Sequence, residues 1–537
     1  MKRWMKKGFL IPGIATSIVA FSLIGITYSN WLAPAGQTIY QKMKIFTTVL
    51  QTIQRVYVEE VDPEQLINDA IRGMVKGLDP HTNYLTAEEV EEWSKTYQGY
   101  SGIGITFDII NDKITVMSVI EGGPSYRIGL MPGDRIIKIN GENAIGMKRD
   151  DVPKKLMGPP GTTVRVTIER EGWDEPKEFT IVREKIHVES IPNALMLDKT
   201  TGYIRIARFS STTGQELEKA LRTLENQGMK QLILDLRGNS GGYLQAAVEV
   251  AEKFLPENKM IVYTKGRIPS AYREYYSSNS TKHRMMPLIV LIDHASASAS
   301  EIVAGAVQDW DRGLIVGKAS FGKGLVQTQY PFPDGSVLLI TTARYYTPSG
   351  RLIQRDYTNK TWEDYYHEAY VDSVRNKMLK KLPKFKTFAG RTVYGGGGIF
   401  PDIWLENKEK APSKFVIDLA YHPKRYVYSY SEKFLRNHPE IKRMDPKTFA
   451  EQYEIPDAAI EEFGHELIRD GFSAKLEDFR KNARDLKFLI KREIAYRLWG
   501  DDGQFYVNLQ RDTVLKEAKQ YFPDASKLLA MSKLPKR

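Results

Sequence analysis

The chain of 537 residues is long enough for several domains, each with a sizeable core. Its 42% hydrophobic and 27% charged content is that of globular protein, and its net charge of +11 suits an acidic surface without naming one. With no cysteine, it is excluded from disulfides, thiol nucleophiles, thiolate metal sites and lipidation at an N-terminal cysteine.

At the start, Lys2, Arg3, Lys6 and Lys7 precede the apolar run from Gly8 to Tyr28. The basic end is expected to stay cytoplasmic while the run enters the membrane, being close to the ~20 residues a span needs. A cleaved signal peptide is the rival, but there is no clean small-x-small site, and Ala33-Pro34-Ala35 carries a proline. Residues 1–30 are therefore expected to form an uncleaved anchor, with the bulk of the chain outside the cytoplasm.

From about Ile39 to Trp93 the pattern is helical. Met43, Ile45, Phe46, Val49, Ile53, Val56 and Tyr57 form an apolar stripe, and Asp62-Pro63-Glu64 starts a second helix. Leu78-Asp-Pro-His-Thr82 breaks it. His81 in this turn reads as a local hydrogen-bonding residue rather than a catalytic base. From Gly99 to about Arg183 the period changes to short strands, such as Ile114–Val119 and the alternating Thr163–Glu169. Helices are expected near Ser125–Ile128 and Asp150–Leu156. The run Gly102-Ile103-Gly104-Ile105, with Pro124-Ser125, Gly129-Leu130, Gly133-Asp134 and Ile139-Asn140-Gly141, resembles a bacterial PDZ domain. The resemblance implies a loop, Gly102–Ile105, whose backbone N–H groups receive a peptide's terminal carboxylate while the peptide adds as a strand.

Between Gly202 and Thr347 strands and helices alternate, the mark of α/β organisation. The apolar Pro287–Asp293 run reads as a buried strand, and Ile302, Val303, Ala306 and Val307 then recur at helical spacing. Between them lies His294-Ala-Ser296-Ala-Ser298-Ala-Ser300-Glu301, a strand-to-helix turn. Ser298 falls near the helix N-terminus, where unpaired N–H groups meet developing negative charge. A serine cap with Glu301 in a capping box is the plainer reading of that turn.

Serine becomes a nucleophile only when something takes its proton. A lysine can do so if burial or a nearby positive charge keeps it neutral. Lys323, between Gly322 and Gly324 and followed by Leu325 and Val326, suits a partly desolvated amine. Gln327 can accept a hydrogen bond from that amine if the turn adjusts its facing. Asp309, about three turns after Ser298, cannot touch it within one helix and reads as structural. Rival constellations share these residues. Gly317–Lys323 spells a phosphate-binding loop except that Gly324 stands where Ser or Thr is required. Ser320-Phe-Gly-Lys323 spells Ser-x-x-Lys, which needs a helix that Gly322 and Gly324 oppose. His294 could also serve Ser298 as base.

Ser296–Glu301, Gln308-Asp309, Phe321-Gly-Lys323-Gly324 with Gln327, and Asp235-Leu-Arg-Gly-Asn-Ser-Gly-Gly242 behind a PDZ-like module together resemble the carboxyl-terminal processing peptidases, also called tail-specific proteases. The likeness runs from about Ile39 to Asp402. It implies a multidomain α/β protein with a crotonase/ClpP-like Ser–Lys core, in which Ser298 is nucleophile, Lys323 general base and Gln327 its orienting partner. It further implies an oxyanion hole from the Ala299 N–H and one at Gly241–Gly242. Ser240 departs from the proline common in relatives.

The expected domains are 1–30 (anchor or signal), 37–98 (helical), 99–185 (PDZ), 186–405 (peptidase core) and 406–537 (a basic, solvated or docking helical extension). In the extension, Phe479, Ala483, Leu486, Leu489, Ile490 and Ile494 share one helical face. The expected activity is serine endoproteolysis of envelope proteins captured by their free C-terminal tails, at the inner membrane and without metal or organic cofactor. No nucleic-acid partner is expected; self-association or an adaptor is open. The alternative is a membrane-tethered PDZ scaffold whose hydrolase core has decayed.

Overall fold

The computed structural model describes residues 38–120, 122–278, 283, 285–371 and 379–532. The expected anchor in residues 1–30 lies outside them. Among the described residues no helix is long and apolar enough to cross a membrane. Two compact units divide at Asp79/Pro80. The first contains helical residues 38–56 and the helix Pro63–Lys76, which Asp62 caps by accepting from Glu64 N–H at 2.9 Å. The stripe Met43, Ile45, Phe46 and Val49 on the earlier helix is solvent-exposed.

In the second unit, strand Asn83–Leu85 follows the Asp79-Pro80 break, and Thr86 and Glu89 form the capping box of helix Ala87–Gln98. A β module comes next. Its sheet runs in the order Ile105–Ile110, Lys113–Val119, Arg135–Ile139, Thr163–Glu169, Lys177–Val182. Period-two alternation sends Val164, Val166 and Ile168 inward onto Ile114, Val116 and Ile136, all fully buried. Helices Pro124–Arg127 and Asp151–Leu156 stand where the sequence pattern predicts them.

The α/β core is a six-stranded sheet ordered Asn193–Met196, Thr201–Arg205, Gln231–Asp235, Leu288–Ile292, Leu314–Gly317, Ile403–Trp404. Only the first pairing is antiparallel. Helices Thr213–Asn226, Leu244–Glu252 and Ala299–Asp309 cover one face, burying Ile204, Leu232, Leu234 and Val290. A second sheet pairs Leu325–Pro331 with Val337–Tyr346 and also includes Asn83–Leu85, Met260–Gly266 and Arg273–Tyr276.

The C-terminal helices are more than a solvated extension. Alternate residues of the central sheet, Tyr203, Ile233, Ile289 and Leu291, point to its other face and are buried by Phe505, Val514, Leu515, Phe522 and Leu528. A separate core holds Phe479, Leu486, Ile490 and Ile494 on one face, as their spacing predicts. The element carrying them is broken, however: Leu476–Lys481 ends at Asn482, and Ala483–Leu509 kinks at Trp499 and Gly500.

Candidate active site

Strand Leu288–Ile292 delivers the chain to a tightly pinned turn. Asp293 Oδ1 accepts from Ala295 N–H at 3.0 Å and from Gly238 N–H at 3.0 Å. Ser296 Oγ donates to the Leu236 carbonyl at 2.8 Å, and Ser300 Oγ to the Asn239 carbonyl at 2.9 Å. These two serines are occupied in fixing the turn against the neighbouring strand end. Ser298 lies between them at φ 54°, ψ −111°, a conformation costly for a residue with a Cβ. Its backbone does the capping: the N–H donates to Glu301 Oε2 at 2.8 Å, while its carbonyl accepts from Ile302 N–H at 3.0 Å. Ser298, Ser240, Gly242, Lys323, Gln327 and Tyr345 line one cleft.

Gly241 packs directly behind the serine. A Cβ on it would come within 2.8 Å of Ser298 Cβ and of the Ala297 carbonyl oxygen. One correction follows for the expected oxyanion hole. The Gly241 N–H donates to Asn239 Oδ1 at 2.9 Å, so it is not available to a substrate. The N–H groups of Gly242 and of Ala299, the first residue of its helix, have no acceptor among the described residues.

Lys323 arrives from the other side, on the loop between strands Leu314–Gly317 and Leu325–Pro331. Its Nζ donates to Gln327 Oε1 at 2.7 Å. The adjustment that lets Gln327 face the amine is a register shift between Val326 and Gln327 against Val337–Tyr346. Gln327 Nε2 in turn donates to the His81 carbonyl. His81 thus serves the site through its main chain, while its ring nitrogen Nε2 lies 3.1 Å from the Tyr365 hydroxyl.

Glu301 joins the two halves. Fully buried, its carboxylate accepts from Ser298 N–H, from Gly322 N–H at 2.7 Å, from Lys323 N–H at 2.9 Å and from the Ser320 hydroxyl. Burial pushes its carboxyl up, against these hydrogen bonds, which favour the charged form. Tyr345 adds a second bridge, donating to the Lys323 carbonyl at 2.6 Å and lying 3.1 Å from the Ser298 carbonyl; burial holds its phenol well above the ordinary value. The sequence shows Glu301 only as a helix cap, because its other partners come from a loop about twenty residues later.

The rival constellations come apart. Ser320 is buried in a loop, donates to Glu301 and accepts from Ile399 N–H at 2.6 Å. No helix follows Gly317, as a phosphate-binding loop requires. The His294 Nδ1 lies 3.0 Å from the Ala319 carbonyl. Asp309 is fully buried in an ion pair with Arg351 at 2.7 Å. In the β module, Gly102 ends strand Tyr100–Gly102, Ile103 is buried, Gly104 has φ 75° and Ile105 opens the strand at the edge of its sheet.

An α/β core with a strained serine at a strand–helix turn, a lysine facing the same cleft and a β module before it define a serine-peptidase architecture. Comparison with known proteins is specific. Peptidase family S41 matches residues 200–363, a PDZ domain residues 115–170, and the N-terminal domain of the activating protease CtpB residues 29–89. A carboxy-terminal-processing protease of Bartonella bacilliformis is 37% identical over 349 residues, covering 63% of this chain and 80% of its own. A probable CtpA-like serine protease of Staphylococcus aureus is 33% identical over 392 residues, covering 72% and 76%. Among solved structures, a photosystem II D1 C-terminal processing protease is similar with a TM-score of 0.34 and 26% identity, covering 67% of this chain and 92% of its own. This chain belongs to the S41 carboxyl-terminal processing peptidases, serine peptidases that carry a PDZ domain.

Proposed function

We propose that the protein is an envelope endopeptidase acting through a Ser298–Lys323 dyad on proteins held by their C-terminal tails. The observation that carries the dyad is the convergence of Ser298 and Lys323 on one cleft, with the amine held by Gln327 at 2.7 Å. Neutral Lys323 takes the Ser298 proton as Oγ attacks the scissile carbonyl, and the lysine then gives that proton to the leaving amine. The Ala299 and Gly242 N–H groups are the donors for the oxyanion, a contribution of about 3–4 kcal/mol per well-placed donor. Water, deprotonated by Lys323, hydrolyses the acyl ester.

The tail is read by the PDZ module. Its carboxylate binds at Gly102–Ile105 and its backbone extends the sheet beside Ile105–Ile110, an edge strand. The basic, apolar N-terminal run holds the enzyme to the membrane with its catalytic domains outside the cytoplasm.

Cleavage of a tailed protein by the wild type, Ser298→Ala and Lys323→Ala tests the dyad: both variants are expected to be inactive, and equal proteolysis by all three removes it. Amidating the substrate's C-terminus is expected to weaken capture, and unchanged binding counts against the PDZ contact. Deleting residues 1–30 is expected to move the enzyme from the membrane to the soluble fraction.

A further inference from the structure

Helix Asp151–Leu156 is tied at both ends to the segment that carries the edge strand of the PDZ sheet, Ile105–Ile110. Just past the helix, the Gly158 N–H donates to the Ser101 carbonyl at 3.3 Å, and a Cβ on Gly102 would lie 3.5 Å from Met157 Cγ. Just before it, Arg149 Nη1 donates to Asp108 Oδ1 at 2.5 Å, and the guanidinium carbon lies 5.5 Å from the ring centre of Phe107. Helix and strand therefore run antiparallel along a groove. One end of the groove is the Gly102–Ile105 loop, and Arg149 crosses the other. Ile103, Ile105, Val152 and Leu156, drawn from both walls, share one buried core.

Asp108 does not belong to Arg149 alone. Its Oδ2 is ion-paired with Arg425, the residue before helix Tyr426–Asn437 in the C-terminal region, and its Oδ1 also accepts from the Ile109 N–H at 2.9 Å. Two guanidinium groups thus converge on one carboxylate. The Asp108 side chain is 14% exposed beneath them, whereas that of Arg149 is 59% exposed. The carboxylates of Asp151 and Glu142 are engaged by Lys154 at 3.1 Å and Lys155 at 2.8 Å. Among the described residues Arg149 Nε and Nη2 have no acceptor, so they remain donors at the open end of the groove.

A tail whose carboxylate sits at Gly102–Ile105 must extend toward Ile110, and so adds antiparallel to the edge strand. With its terminal residue beside Ile105, its fourth residue from the end lies beside Asp108, three strand residues on at about 3.3 Å each. We propose that Arg149 is a specificity residue of the tail site, selecting tails that carry an acidic side chain at the fourth position from the C-terminus. The inference rests on the reading of Gly102–Ile105 as the carboxylate loop. An acidic side chain there receives charge-assisted hydrogen bonds from the donors that Asp108 leaves unused, and a lysine meets like charge. Arg425 gives the C-terminal helices, which lie beyond the residues matched to the peptidase family, a part in this end of the groove.

The test is fluorescence anisotropy with the full chain carrying Ser298→Ala, so that the probes are not cut. The probes are labelled peptides with one shared apolar C-terminus and Glu, Gln or Lys at the fourth position from the end, together with the Glu peptide amidated at its C-terminus. With Arg149 present, the Glu peptide is expected to bind about five-fold more tightly than the Lys peptide at low salt, and the gap to narrow as salt is raised. Added Arg149→Gln is expected to bind the two alike, and Arg149→Glu to reverse their order. Reversal is a readout that a purely structural role for Arg149 would not produce. Equal binding of the Glu and Lys peptides while the amidated peptide is still rejected overturns the proposal and leaves the carboxylate loop standing. A Glu preference that survives in Arg149→Gln also overturns it. Indifference to amidation instead overturns the reading of Gly102–Ile105 on which the proposal rests.

Discussion

The Lys323 amine donates to Gln327 Oε1 at 2.7 Å, and the opposite end of the same amide donates to the carbonyl of His81, 246 residues away in sequence. One side chain thus joins Lys323 to the segment that begins the second unit. The amide is held at both ends, which gives the amine a defined position. Gln327→Leu keeps the volume but frees the amine, and kcat is expected to fall by about 10²-fold with KM little changed. Gln327→Glu is the sharper comparison. A carboxylate beside Lys323 favours the ammonium, so the acid limb of the pH profile is expected to rise by about one unit or more. Stopped-flow acylation across pH distinguishes the two variants.

Glu301 ties the Ser298 turn to the Lys323 loop. Backbone N–H groups of Ser298, Gly322 and Lys323 and the Ser320 hydroxyl converge on one carboxylate, a set of donors that an ionised carboxylate can satisfy in full. In Glu301→Gln, an NH2 group faces those donors, leaving at least one of them unpaired at a cost of about 1–3 kcal/mol. The expected outcome is a large drop in kcat together with a lower denaturation midpoint. Full activity at an unchanged midpoint would show that the strained Ser298 backbone is held by something else.

The parts of this architecture written in local pattern were legible in the sequence. Thr163–Glu169 alternates and becomes a half-buried strand; Pro287–Asp293 is apolar throughout and becomes a central strand; Asp62-Pro63 caps the helix it predicts. The serine turn and the lysine loop were legible as close-packed turns from their glycines and small residues, but their reading as nucleophile and base came from the family resemblance, since local pattern left a plain serine cap and rival pairings open. What stayed hidden depends on distant partners. The Asn239 side chain claims the Gly241 N–H, and nothing local tells which of two adjacent glycines retains a free donor. The strands Met260–Gly266 and Arg273–Tyr276 pair across a sheet whose other members lie far away in sequence. Residues 354 and 355 flank Lys323 only because the chain returns to it after the hairpin.

Asp309 illustrates a motif residue whose importance is structural. Both it and Arg351 are fully buried; their ion pair is 2.7 Å, and Asp309 Oδ2 also accepts from Ser349 N–H at 2.9 Å. Asp309→Asn leaves the guanidinium buried without its counter-charge, with an expected destabilisation of about 3–5 kcal/mol. Asp309→Leu combined with Arg351→Met removes both charges and is expected to recover much of that loss. The residual activity of folded Asp309→Asn is expected to keep the wild-type pH limb, because Asp309 does not contact Lys323. A shifted limb at intact stability would place it in the dyad's electrostatics instead.

The C-terminal helices supply the second cover of the catalytic sheet, and this predicts how the enzyme responds to their loss. Phe522 is 4% exposed and packs with Leu515 and Leu528 over Ile289 and Leu291, on the strand that ends at the Ser298 turn. Arg237 adds a polar tie, reaching Asp512 Oδ2 at 2.7 Å from the end of the neighbouring strand. Phe522→Ala is expected to cost about 3–5 kcal/mol in the urea-unfolding free energy of the core. Met531→Ala, at a residue 49% exposed, is expected to change it by less than about 0.5 kcal/mol. Deleting everything after residue 405 exposes the apolar face formed by Tyr203, Ile233, Ile289 and Leu291, and the expected product is aggregated and inactive. A soluble, active chain ending at residue 405 would mean that the sheet holds the Ser298 turn without this cover.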